Sequence, residues 1–600
     1  MGLLQKACET YDTFQHLAGV EIQDKTTLAP PGYISTRADI EITLDQDGRF
    51  LSARAVEKEE PKIIIPVTEE SAGRTSAPCA HPLCDQLAYL APYVEKKHTL
   101  YVEQLADWAT SPYSHPQLPP ILTYIQGETI LNDLVQAEVI TLNEKGQPKN
   151  EKALVRWVVL GLEPADSGPC WTNRGLMEAF SRYYASRKEG WEQNLCMVSG
   201  DWDVLARQHI KGIIPANGNA KLISANDSSG FTYRGRFDES WQAATVGYTA
   251  SQKAHNALRW LADNQGVNMG GRTFLCWNPQ GKEVPAPTSA MSRRGRRSQP
   301  SAKNPTEYKR QLWEALSGWQ ADLPTNADVV IAAFDAATTG RLALTYYNEL
   351  LASDFLQRLY DWDNSCCWIN GGFGVQSPAL YWLVTCAFGT FRGNKWAVDD
   401  RILKQQVQRL VACRIDRAIF PVDVERLLVQ QASNLQLLPQ EERQRLLFLT
   451  CAAIRKYHYD TTKEEYGMSL DKNSTDRSYL FGRLLAVAEA VERSTYEGKD
   501  KETREPNAIR LQTVFVQQPM HTWTVLEDRL IPYYQKLPSG LEKYYKDLIS
   551  EIADKLSPDD KTLNRKLEDT YVLGYYHQRA YRKPKEEANE PTTEATTEEP

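Results

Sequence analysis

Residues Met468 to Glu492 read MSLDKNSTDRSYLFGRLLAVAEAVE. Asn473, Ser474, Thr475 and Asp476 supply oxygens that can accept the free backbone N–H groups of a helix start, and an apolar stripe follows at Leu480, Leu484, Leu485, Ala488 and Val491. The segment predicts a capped helix that buries one face. Capped amphipathic helices occur in every class of globular protein, so this one by itself says only that a helical bundle surrounds it.

Toward the C-terminus, Leu541, Tyr544, Tyr545, Leu548, Ile549, Ile552 and Leu556 keep the same 3-and-4 spacing, with Pro558 just past the helix end. Helical periodicity begins near Ser377. Upstream the pattern changes: Ile40, Ile42 and Leu44 alternate with polar residues, Asp47-Gly48 supplies a turn and Phe50 begins a return strand, which predicts a hairpin. Ile63 to Val67 and Val155 to Leu160 read as buried strands, with Pro66 restricting the first to a sheet edge or strand end. The expected fold is α+β, with a strand-rich N-terminal body over residues 1–376, a helical C-terminal domain over 377–584 and a disordered acidic tail over 585–600.

The net charge is −8 over 600 residues. The tail from Lys585 to Pro600 holds six glutamates against one lysine, so five of those eight charges sit in a stretch with no large apolar residue to bury. The body is near neutral, and local basic patches decide what it binds. The eleven cysteines follow no repeated spacing, no charged-then-apolar N-terminal signal is present and no apolar run reaches the roughly 20 residues that span a bilayer. These features imply reduced thiols, a cytoplasmic location and no membrane partner.

Lys282 to Pro305 reads as an exposed loop, in which Arg293, Arg294, Arg296 and Arg297 form either a phosphate-binding cluster or a solvated linker. Phosphate-binding glycine loops, nucleophile elbows and His-Glu-x-x-His helices are absent. Cys79, His81 and Cys84 lack the fourth ligand of a structural zinc site and read as a packed loop with free thiols. The pairs Asp201/Asp203 and Asp361/Asp363 read as solvent-facing residues beside buried Trp202 and Trp362.

Five stretches, in order, go further: CMVSGDWDVLARQHIKGI (Cys196 to Ile213), AFDAATTGRLALTYYNELLASDFLQRLYDWDNSCCW (Ala333 to Trp368), LVACRIDRAIFPVDV (Leu410 to Val424), the Met468 segment and VLGYYHQRAY (Val572 to Tyr581). Together the chain resembles the large subunit of the type I-C CRISPR Cascade complex. Where that family usually has Trp-His this chain has Trp362-Asp363, so no histidine role carries over. The resemblance implies a non-catalytic subunit without cofactor or metal. It would recognise the short flanking motif, the PAM, in target double-stranded DNA, help unwind it and stabilise the R-loop for a recruited Cas helicase-nuclease. A crRNA held by backbone and crRNA-end-capping subunits would read the remaining sequence by base pairing.

Two loops have the donors that this task needs. The first runs Gly73, Arg74, Thr75, Ser76, where an arginine and two hydroxyls can reach a base edge or a phosphate. It also fits a surface turn whose Arg74 pairs with Glu69 or Glu70. The second, KGIIPANGNAK from Lys211 to Lys221, offers Asn217, Gly218 and Asn219 for base edges, with Arg234 and Arg236 downstream for phosphates; an Asn-Gly hairpin turn explains the same letters.

In this family the region from the Met468 segment onward also resembles the separate small subunit of other Cascade types. Met468 follows Lys463, Glu464 and Glu465, which a ribosome-binding sequence can encode, and is the expected internal start of a fragment covering 468–600. Arg477, Arg483, Lys543, Lys546, Arg579, Arg582 and Lys583 are its candidates for a strand-binding track, with Arg483 alternatively bound to Glu489 or Glu492. The competing classes are a scaffold that never reads DNA and, with less support, a nuclease of the same pathway.

Overall fold

The computed structural model describes the chain except residues 1, 24, 75–76, 215–217, 225–236, 238–239, 292–301, 499–503, 558–560 and 582–600. Contacts divide it into two units, Met1–Pro285 with Trp319–Phe355, and Ala286–Gly318 with Leu356–Pro600. The division therefore lies near Leu356 and not at 376/377, and Ala286–Gly318 joins the helical unit. The expected acidic tail lies outside the described residues.

The first unit contains two four-stranded sheets. In one, the expected hairpin forms between Ile40–Leu44 and Phe50–Ala55, with Ile40 opposite Ala55 and Leu44 opposite Phe50. Val155–Val159 runs parallel to Ile40–Leu44, and Gly168–Pro169 completes that sheet. Alternation has its usual cause: Ile40, Ile42 and Leu44 are buried in a core that also holds Trp108, Trp157 and Phe180. Among the described residues Ile63–Pro66 pairs only with Tyr33–Thr36, and Pro66 ends the strand as its missing N–H requires. The second sheet is antiparallel, in the order Arg341–Leu351, Asp328–Thr338, Arg272–Trp277, Val267–Met269. It shares a core with helices Leu3–Phe14 and Tyr248–Gln265.

The second unit is helical. Asp476 caps helix Arg477–Arg493, its Oδ1 accepting the N–H of Tyr479, as expected. This helix does not bury a single face: it touches Asn507–Arg510, Pro519–Tyr534, Ser539–Ala553 and Thr570–Ala580, and its polar residues Arg483, Glu489 and Glu492 are buried with its apolar ones. The two carboxylates are matched. Glu489 takes Arg493, Arg579 and the Tyr575 hydroxyl, and Glu492 accepts from Asn507.

Asp363, expected at the surface, is fully buried. Its two oxygens lie 3.0 and 3.1 Å from one Arg414 nitrogen, and it also accepts from Ser377 Oγ at 2.9 Å and from the Met291 N–H at 2.6 Å. Arg414 in turn donates to the carbonyls of Pro287 and Ser289. This clasp, with the Leu380 N–H donating to Thr288 O at 3.3 Å, ties Ala286–Met291 to the helical unit. Asp361 and its own partner Arg417 remain exposed. The other aspartate pair departs in the opposite sense, because Trp202 is 72% exposed and not buried.

Candidate nucleic-acid interface

After strand Ile63–Pro66 the chain enters the short helix Glu69–Gly73 through a reciprocal cap. Thr68 Oγ1 accepts from the Ser71 N–H at 3.1 Å, and Ser71 Oγ accepts from the Thr68 N–H at 3.0 Å. The buried Glu69 carboxyl then accepts from the N–H groups of Arg207 at 3.1 Å and Gln208 at 3.3 Å, which ties this helix to the segment leading into Lys211–Lys221. Burial pushes the Glu69 carboxyl up to about 7. At Gly73 a β-carbon would come within 2.0 Å of Gln208 Oε1, so a larger residue here would displace the Gln208 side chain.

Main-chain pairing frames the second loop. Lys211 pairs with Lys221, and Lys221 with Arg341; the Lys221 N–H donates to Gly340 O at 3.1 Å and Lys221 O accepts from the Leu342 N–H at 2.9 Å. Ile213, Ile214 and Ala220 anchor the loop in the core beneath the second sheet. Gly212 takes φ +70°, a conformation that favours glycine, with Gly218 O against it.

The two loops predicted separately thus form one cleft of about 410 Å³, lined by Arg74, Lys211 and Lys221 together with Gln208, Asn219 and Glu70. Lys211 Nζ donates to Arg74 O at 2.7 Å and Lys221 Nζ to Gln208 Oε1 at 3.2 Å. Neither lysine forms an ion pair among the described residues. Burial lowers the pKa of both, and for Lys211 the neighbouring Lys221 and Arg74 lower it further. With Arg74 already paired to the carboxylate of Asp85, Lys211 and Lys221 against Glu70 leave the cleft with a net positive charge that favours an anion.

Arg74 is committed differently from either alternative read in the sequence. Its guanidinium forms a bidentate pair with buried Asp85, at 2.8 and 2.5 Å, donates to Cys79 O and lies over the Tyr89 ring; it does not pair with Glu69 or Glu70. Asp85 sits immediately after Cys84, so the run read for its metal-ligand letters contains the partner of Arg74. His81 Nδ1 meets Ser71 Oγ at 2.9 Å, and Cys84 is buried. Gly218 and Asn219 are exposed. Thr75, Ser76, Asn217, Arg234, Arg236, Arg293, Arg294, Arg296, Arg297, Arg582 and Lys583 lie outside the described residues. Gln208, a central residue of the cleft, has no local signature in the sequence, where it stands as a lone glutamine.

The C-terminal cations separate into two kinds. Arg483, expected on a strand track, is fully buried, with Nε donating to Gln578 at 3.0 Å and Glu551 3.6 Å away, so it cannot meet a strand and it does not use Glu489 or Glu492. Arg477 donates to the carbonyls of Leu563, Arg565 and Lys566 and closes a loop. Lys543 and Lys546 are exposed, Lys546 beside Glu542, and Arg579 is exposed beside Glu489. Met468 is buried, in the connection between helices Gln440–Thr461 and Arg477–Arg493.

An α+β body with a cationic cleft, joined to a helical unit, is here the framework of a CRISPR-associated protein. The sequence model of the family described as CRISPR-associated protein (Cas_Csd1) matches residues 9–582, nearly the whole chain, and the chain belongs to that family. Membership implies work in a Cas complex with other Cas subunits. No curated protein matches the chain. No helix among the described residues is long and apolar enough to cross a membrane.

Proposed function

We propose that this chain is the non-catalytic large subunit of a type I-C Cascade complex, and that the cleft between the Arg74 and Lys211–Lys221 loops reads the PAM in target double-stranded DNA. The observation that carries this reading is the bond from Lys211 Nζ to Arg74 O, by which two loops chosen for their donor chemistry become one site. Its cations fix register on phosphates, while Asn219 and Gln208 supply the amide groups that suit base edges. In this reading the subunit helps open the duplex, stabilises the R-loop beside a crRNA and the backbone and end-capping subunits, and recruits the helicase-nuclease. The fragment starting at Met468 acts as a small subunit.

The test is binding of the reconstituted guide-RNA complex to duplexes with and without the flanking motif, at fixed salt. Asn219→Ala and Lys221→Gln are the informative variants, since Arg74→Ala would also strand the Asp85 carboxylate. Normal assembly with loss of discrimination between the duplexes supports the reading. Assembly and discrimination unchanged in both variants would reject this cleft and favour a scaffold.

A further inference from the structure

A second cavity of about 440 Å³ in the first unit has a different chemistry. Helix Arg174–Ser186, capped by Asn173, buries Phe180 and Tyr184 and delivers Lys188 just past its end. Helix Tyr248–Gln265 contributes Tyr248 from its first residue, and the strand Trp202–Val204 contributes Asp203, whose Oδ2 accepts the Thr249 N–H at 3.0 Å. Gly32, at φ +83°, closes one wall, with Phe180 3.3 Å from where its β-carbon would stand.

Lys188 is 7% exposed, and its ammonium lies 4.0 Å from the centre of the Tyr184 ring and closer still to that of Tyr248. Among the described residues it has neither an ion pair nor a hydrogen-bond acceptor. Two aromatic faces attract a cation but offer no acceptor to the three N–H donors of an ammonium, which are left to the solvent that enters the cavity. An acceptor atom entering the cavity can take the place of that solvent on Lys188. A free anion is a poor candidate, because Asp203 and Glu189 line the same cavity and leave it net negative. What fits is a flat, uncharged ring that carries a carbonyl or ring-nitrogen acceptor next to an N–H donor. That is the Watson–Crick edge of a nucleobase, and the volume lies within the roughly 300–1,000 Å³ usual for small-ligand sites.

We infer that this cavity holds a single unstacked nucleobase, its acceptor atom on the Lys188 ammonium and its N–H on the Asp203 carboxylate, with Phe180, Ala185 and Val204 among the apolar residues around its ring. The identification of the ring as a nucleobase rests on the proposed role in nucleic-acid binding. The cavity is linked to the cationic cleft through helix Glu69–Gly73: the Glu69 N–H donates to the Tyr184 hydroxyl at 2.9 Å, and the Glu69 carboxyl holds Gln208 of the cleft.

The experiment uses the full chain and two kinds of probe. Free nucleosides, which lack a phosphate for the cleft to hold, are titrated by ligand-observed NMR against the wild type, Lys188→Met and Asp203→Asn. In parallel, short single strands with and without one abasic position are compared at fixed salt, with unfolding midpoints confirming that each variant is folded. The expected result is saturable nucleoside binding that weakens about tenfold in each variant, the loss of one hydrogen bond to a charged group, together with weaker binding of the abasic strand by the wild type only. Nucleoside binding without any effect of the abasic position would keep the site and assign it to free nucleosides. No nucleoside binding, or equal binding by wild type and both folded variants, overturns the inference. Motif discrimination unchanged in the cleft variants Asn219→Ala and Lys221→Gln, with nucleoside binding intact, would sink the proposed function and not this site.

Discussion

Gly482 and Gly574 each lie against the backbone of the other's helix: a β-carbon on Gly482 would stand 2.0 Å from Tyr571 O, and one on Gly574 would stand 2.0 Å from Tyr479 O. Helices Arg477–Arg493 and Thr570–Ala580 therefore cross main chain to main chain, and the crossing is bordered by bonds from Tyr479 to His577, Arg483 to Gln578 and Thr570 to Asp476. The Met468 segment and VLGYYHQRAY, two of the stretches that carry the family resemblance, are the two sides of this crossing.

Alanine at either glycine should destabilise the protein. The change adds helix propensity of about 1 kcal/mol, but overpacking against a backbone oxygen that cannot swing away costs about 1–3 kcal/mol or more. Thermal unfolding of Gly482→Ala and Gly574→Ala should show lowered midpoints; a raised midpoint in both would mean that the helices separate without penalty.

Asp363→Asn should cost about 3–5 kcal/mol, because it leaves the Arg414 guanidinium charged and buried without a counterion. Asp361→Asn, two positions away, should stay within about 0.5 kcal/mol, as for other exposed sites. Denaturant unfolding of the pair measures the difference, and equal stabilities would show that the buried pair contributes nothing.

In the cleft, Lys221→Gln should leave stability nearly unchanged and reduce the slope of log K against log salt for duplex binding by about one, the signature of one lost phosphate contact. Arg74→Ala should instead lower stability by about 3 kcal/mol through the orphaned Asp85 carboxylate. Salt titrations and unfolding curves on the same two proteins separate these effects. An unchanged slope in the Lys221 variant would remove that lysine from the interface.

Two groups beside the second cavity give opposite pH dependences. Burial raises Glu69 from 4.5 to about 7, so the folded chain holds that proton more tightly than the unfolded chain and stability falls as pH rises from 4.5 to 7. Burial lowers Lys188 from 10.5 to about 7, so stability is lost as pH falls from 10.5 to 7. Stability measured for wild type minus Glu69→Gln should decline over the acid window, and wild type minus Lys188→Met should rise over the alkaline one. Flat differences would mean that both groups titrate as they do in water.

Met468→Ile should abolish a short product detected with an antibody to the C-terminus, while the full chain persists. Survival of the short product would exclude Met468 as its start.

The hairpin at Ile40–Ala55 and the cap at Asp476 were legible because each is written in adjacent residues: alternation around Asp47-Gly48 in one case, an oxygen ahead of an apolar stripe in the other. Asp363 was not legible. In the letters it matches Asp361, and what separates them is Arg414, brought in from a different helix. Arg483 and the two glycines failed for the same reason, since their partners Gln578, Tyr571 and Tyr479 are set by a helix crossing that local periodicity does not encode. The cleft was half legible. Each loop showed its donors, but their convergence depends on Glu69 bonding to Arg207 and Gln208 across the chain.

Positions 211 and 221 are located by their peptide groups, through bridges to each other and to Arg341, while their side chains point into shared space with Arg74. Peptide pairing is indifferent to what hangs from the α-carbon. A photoreactive or spin-labelled residue can therefore be installed at either position with the scaffold around it intact, which turns this pair into fixed reporting points for whatever enters between them.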